Sequence, residues 1–136
     1  MRSPGLALLL GLATVACGEN AGAPSDLSGG IAQDQANQAM SALCDIAEGQ
    51  VTAFEDVRAA FENRAHETLH HIAEVAQEED TGSAAALLEA KSVVETDLEQ
   101  DAPAAQIAAH AAALAEATAT AIRAIGLNAG ACSRPT

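Results

Sequence analysis

From residue 31 to residue 127, apolar residues recur every three or four positions. That is the period of an α-helix with one buried face. A first helix is expected from Ile31 to Glu48, with Ala36, Met40, Leu43 and Ala47 on one face, Ala39 and Ile46 beside them and Gly49 as the stop. A second starts near Ala53 behind Thr52-x-x-Glu55, a capping-box pattern. Its buried stripe is Phe54, Val57, Phe61, Ala65, Leu69, Ile72 and Ala76. The acidic run Glu78-Glu79-Asp80 opposes the helix dipole and ends it. A third helix follows the cap Ser83 and carries Leu87, Leu88, Val94 and Leu98. Asp101-Ala102-Pro103 interrupts, since proline fits only the first turn of a new helix. The fourth carries Ile107, Ala111, Leu114, Ala121 and Ile125, with Thr118 as the polar residue in the stripe, its hydroxyl able to bond a carbonyl one turn back. Gly126 is its expected C-cap. Four amphipathic helices on short connections predict an all-α, antiparallel four-helix bundle.

Composition sharpens that reading. About a quarter of the residues are alanine, tryptophan and tyrosine are absent, and Phe54 and Phe61 are the only aromatics. Alanine favours helix, and the residues that favour strands are scarce. Small side chains bury little area each, so the helices must approach closely and stability per residue is modest. The formal net charge is −13. Such a surface repels nucleic acid and anionic headgroups, and no basic patch counters it.

The N-terminus has a different pattern. Arg2 precedes an uncharged apolar run from Leu6 to Ala16, too short to span a bilayer. This is the layout of an export signal. Ala13-Thr14-Val15-Ala16 then leads into Cys17 and Gly18, which resembles the lipobox of bacterial lipoproteins, with Thr14 where leucine is usual. The resemblance implies removal of residues 1–16 and acylation of Cys17. Several acyl chains anchor stably where one does not. It places the protein on the cell membrane or outer membrane, facing the periplasm or exterior. Residues 17–30 read as a lipidated flexible tether with a reach of about 20 Å. The bundle then spans residues 31–127, and a tail spans 128–136. Two further strings, Phe61-x-x-Arg64-Ala65-His66-x-x-x-His70 and Leu87-Leu88-Glu89-Ala90-Lys91-x-x-Val94-Glu95, resemble segments of small actinobacterial helical lipoproteins.

With Cys17 acylated, Cys44 and Cys132 remain as an even pair in an oxidising compartment, which predicts a disulfide. Closing so long a loop stabilises by roughly 4–5 kcal/mol in the chain-entropy account. Topology creates a tension. Three predicted helices lie between the two cysteines, an odd number that leaves them at opposite ends of an up-down bundle. Either the tail after Gly126 doubles back, which is preferred, or Pro103 only kinks one long helix.

One motif has the form of chemistry. His66-Glu67-Thr68-Leu69-His70 reads as H-E-x-x-H, which puts two imidazoles one helical turn apart with a glutamate placed to activate a metal-bound water. It is similar to the zinc metallopeptidase signature. Against that stand the brevity of the motif, the charged Arg64 before it, and Ala73 and Ala76 where the longer signature needs glycine and a third histidine. Such peptidases seat the substrate on a β-sheet edge, and no strand is detectable in the sequence. Helical phasing also puts His66 and His70 opposite Phe61 and Ile72, facing solvent. A solvent-facing site that binds zinc or another divalent transition metal through His66 and His70, helped by Glu67 and Glu74 and with His71 near enough to assist, fits better. A solvated face of Glu and His pairs fits best. The same string contains the Glu-x-x-His element of di-iron bundles, but Ile107 stands three before His110 where a second glutamate is required. His110 reads as a boundary residue, and Lys91, Glu95 and Glu99 as surface ion pairs.

The sequence therefore points to a non-enzymatic, lipid-anchored binding or scaffolding module of the cell envelope. Its expected partners are the membrane and an envelope protein. A metal-buffering lipoprotein is the alternative, and a zinc peptidase with Glu67 as general base a remote one.

Overall fold

The computed structural model describes residues 27–132. The expected signal run, Cys17 and most of the expected tether lie outside the described residues. The described residues are predominantly α-helical, with five helices: α1 (Gln33–Ala47), α2 (Phe54–Arg64), α3 (His66–Glu79), α4 (Thr81–Glu99) and α5 (Ala104–Ala124). Before them, β1 (Leu27–Ser28) and β2 (Ile31–Ala32) pair antiparallel across Gly29-Gly30. Both glycines have positive φ, 58° and 88°, the two-residue turn that matches strand twist. A Cβ on Gly29 would lie 2.6 Å from the Val75 side chain, so the turn lies directly on α3. Residues 27–30, expected in the tether, are thus part of the folded unit. Ile31 is a buried core residue at the end of this hairpin and not a helix start.

The helices pack α1 on α2 and α3, α3 on α4, α4 on α5, and α5 on α1. The expected stripes are largely buried: Ala36, Met40 and Leu43 in α1, Val57 and Phe61 in α2, Leu69, Ile72 and Ala76 in α3, and Ile107, Ala111 and Leu114 in α5. Leu88 departs from its expected place and is exposed, because Leu87, Lys91, Val94 and Leu98 form the inward row of α4. Caps also differ. The Thr52–Glu55 box does not form, since α2 begins at Phe54 with no side-chain cap. Asp80, not Ser83, caps α4: Asp80 Oδ1 accepts from the Ser83 backbone N–H at 3.2 Å, and Oδ2 from the Ser83 hydroxyl at 2.8 Å. Thr118 is fully buried and its hydroxyl has no partner, contrary to the expected back-bond.

The second expected helix is two helices, α2 and α3. Ala65, at φ −125°, interrupts it, although Ala65 N–H still reaches the Phe61 carbonyl and Leu69 N–H the Ala65 carbonyl. No proline or glycine marks the break. It sits where the packing partner changes. Arg64 ends α2 with its guanidinium on Asp45 (3.1 Å) and Ser41 (3.2 Å) of α1, while α3 packs mainly on α4.

Glycines at positive φ end α1 and α5. At Gly126, its own N–H bonds the Arg123 carbonyl and Leu127 N–H the Ile122 carbonyl, the paired closure that satisfies the last free carbonyls. The tail then doubles back. Asn128 sits beside the start of α1, where its N–H donates to Gln33 Oε1 (2.9 Å) and its carbonyl accepts from Gln33 Nε2 (2.7 Å). From there the chain runs back along α1 and Cys132 joins Cys44 with a Cα–Cα distance of 5.1 Å. Eleven helical residues rise about 16 Å, and the extended chain from Asn128 to Cys132 covers roughly 13 Å of it.

Candidate functional site

Two places hold clustered reactive side chains. The first is the outer face of α3. His66 opens the helix, and the bend at Ala65 changes its phase relative to α2. His66 therefore lies edge-on to Phe61, ring centroids 5.9 Å apart, and not opposite it as a straight helix would place it. His70 follows one turn later with its ring edge-on to His66 at 5.1 Å. Glu67, His70, His71 and Glu74 line a groove of about 450 Å³ with Gln35 and Ile31, under the β1–β2 turn. His66 is not in this lining. Four expected site residues thus divide into three in the groove and one on the Phe61 edge. His71, expected as an assisting residue beside Glu74, also lines the groove.

His70 also has a partner that the sequence reading missed. Lys91 is 2 % exposed. Its ammonium lies 3.1 Å from His70 Nε2 and 2.6 Å from Glu95 Oε1. His70 Nε2 and the Lys91 ammonium are thus within hydrogen-bond distance. Any ion shared by His66 and His70 through Nε2 must displace Lys91. Asp97 forms a second buried polar node, 4 % exposed, accepting from Gln106 Nε2 at 2.8 Å and lying 2.6 Å from His110 Nδ1. His110 is accordingly a boundary residue with a specific carboxylate partner. Position was the available signal for Lys91: it stands four after Leu87 and three before Val94, inside the apolar row.

The second place is the corner where the tail meets α1. Cys44, Glu48 and Cys132, all half-buried, hold their two sulfurs and a carboxylate oxygen within 4.8 Å of one another. Among the described residues this is the only trio of histidine, cysteine or acidic ligand atoms gathered so closely. The two sulfurs are joined in the disulfide. Glu48 and Cys132 also border a groove of about 680 Å³ between α1, α5 and the tail, lined by Met40, Ala112, Ala115 and Arg123 among others.

Comparison of the chain with protein-family models, curated proteins and solved structures finds no match. Among the described residues no helix is long and apolar enough to cross a membrane.

Proposed function

We propose that the protein is a lipid-anchored module of the bacterial cell envelope. Acyl chains on Cys17 hold it to the membrane, and an acidic antiparallel bundle of four rods, α2 and α3 counting as one, serves as a binding or scaffolding surface. The observation that carries this reading is the Cys44–Cys132 disulfide. A bond of this kind persists outside the reducing cytosol, where the apolar run before Cys17 would deliver the chain. The hairpin at Leu27–Ala32 supports it too, because it leaves only a short polar spacer between Cys17 and the folded unit. The surface charge favours a neutral or cationic partner over nucleic acid.

Replacing Cys17 with serine is the direct test. The wild-type chain is expected in the membrane fraction with an acyl mass increase, and Cys17→Ser without either. A wild-type protein recovered from its host with an unmodified Cys17, or in the cytosol with free Cys44 and Cys132 thiols, overturns the reading.

A further inference from the structure

The corner of Cys44, Glu48 and Cys132 has a second chemical state. A disulfide is one product of two adjacent thiols, and a metal dithiolate is the other. Here a carboxylate stands beside them: Glu48 lies one helical turn after Cys44, and its oxygen is within 4.8 Å of both sulfurs. We propose that the dithiol form of this protein holds one thiophilic divalent cation, of the Zn²⁺ class, through Cys44 Sγ, Cys132 Sγ and the Glu48 carboxylate.

Two thiolates and a carboxylate suit zinc, which is softer in its preferences than magnesium or calcium. Two sulfurs about 2.3 Å from a tetrahedral zinc lie roughly 3.8 Å apart. The pair must therefore separate by less than 2 Å from bonding distance. The tail permits this. A side chain added at Gly130 would meet nothing within 4 Å, so there is open space beside the chain two residues before Cys132, although Ala129 and Cys132 themselves pack against the core. Glu48 and Cys132 border the open groove between α1 and α5, which leaves room for water as the fourth ligand. The corner is half-buried, so an ion can enter while its ligands remain partly shielded.

The two states exclude each other. A dithiol reductant passes two electrons and two protons to the cystine, giving two protein thiols and its own disulfide. Zinc then displaces both thiol protons. A disulfide oxidant removes two electrons from the thiolates, re-forms the S–S bond and releases the ion. This behaviour is independent of the lipid anchor and of His66 and His70.

The experiment uses the full chain with Cys17→Ser, so that no third thiol interferes. Reduced with a phosphine under argon, it is titrated with Co²⁺ and then with Zn²⁺, and helicity is followed by circular dichroism. The expected result is a thiolate-to-cobalt charge-transfer band that saturates at one equivalent and is bleached by Zn²⁺. The oxidised protein shows no band. Cys132→Ser weakens binding roughly 100-fold or more, and Glu48→Gln, which leaves the cystine intact, about tenfold. His66→Ala with His70→Ala leaves the titration unchanged. A helical reduced protein without the band overturns the proposal. So does Glu48→Gln binding like the parent, or loss of helicity on reduction that metal does not restore, because the three ligands meet only in the fold.

Discussion

The α1–α5 seam and the α3–α4 seam solve the same problem by different means. Both must hold together helices that carry few large side chains. At the α1–α5 seam the residues are small, Ala112, Ala115 and Ala119 facing Met40 and Ala47, and a groove remains between them. That seam is tied at both ends by the returning tail, through two hydrogen bonds at Gln33 and one covalent bond at Cys44. The α3–α4 seam, whose helices are joined in the chain through Asp80, is crossed by no disulfide. A lysine fills the space between Leu87 and Val94, and its charge is met by His70 and Glu95. Alanine helices pack closely but contribute little area each, so the first seam depends on restricting the unfolded chain. The second depends on contacts made in the folded one.

Cutting the covalent tie is therefore the most damaging change. Cys44→Ser with Cys132→Ser frees a loop spanning nearly the whole folded unit, and is expected to cost about 4–5 kcal/mol. For a domain of this size that lowers Tm by on the order of 20 °C, measurable by thermal denaturation in circular dichroism. A fall of only a few degrees would mean that the α1–α5 seam closes on its own packing, and the contrast between the seams would disappear.

The α3–α4 seam is probed at Lys91. Lys91→Ala leaves a cavity in the apolar row and is expected to cost about 2–4 kcal/mol. Lys91→Met keeps the volume and removes the charge. Glu95 is partly exposed and can return to water, so this variant is expected within about 1 kcal/mol of the parent, or above it. Chemical denaturation of the three proteins separates shape from charge. If Lys91→Met is as damaging as Lys91→Ala, the ammonium itself holds the seam.

These two seams also show what a single sequence discloses. The cystine was legible because two cysteines remain once Cys17 is assigned to lipid, and the doubled-back tail because pairing Cys44 with Cys132 across three expected helices required either that return or a mere kink at Pro103. The helices of α1, α4 and α5 were legible from their apolar period. The break at Ala65 was not, because its sequence carries no breaker and the bend follows a change of packing partner. Missing the break misplaced His66, whose phase against Phe61 depends on it. Lys91 was read by its chemistry as a surface ion pair, although its place in the row of Leu87, Val94 and Leu98 indicated burial. The hairpin escaped because Gly29-Gly30 looks like linker composition, whereas the β1–β2 pairing, the burial of Ile31 and the tight fit against Val75 show it to be folded.

The smallest expected effect lies at the turn that joins α3 to α4. Asp80 stands directly after Glu78 and Glu79 at the unfavourable end of one helix and caps the next. The Ser83 hydroxyl, and after it the Ser83 backbone N–H, hold its carboxyl below the ordinary carboxylate range, against a smaller opposing effect of burial. These donors favour the ionised form, so the folded state binds the proton less readily than the unfolded state does. The contribution is complete above about pH 4 and is lost as pH falls through the lowered value. Asp80→Asn keeps an acceptor for the Ser83 N–H but cannot titrate, so its Tm should fall less steeply than that of the parent below pH 4. Asp80→Ala should lose the cap at every pH. Thermal scans from pH 3 to pH 7 decide between them. Parallel curves for the parent and Asp80→Asn would show that the cap acts through geometry alone and that ionisation of Asp80 adds nothing to the α3–α4 junction.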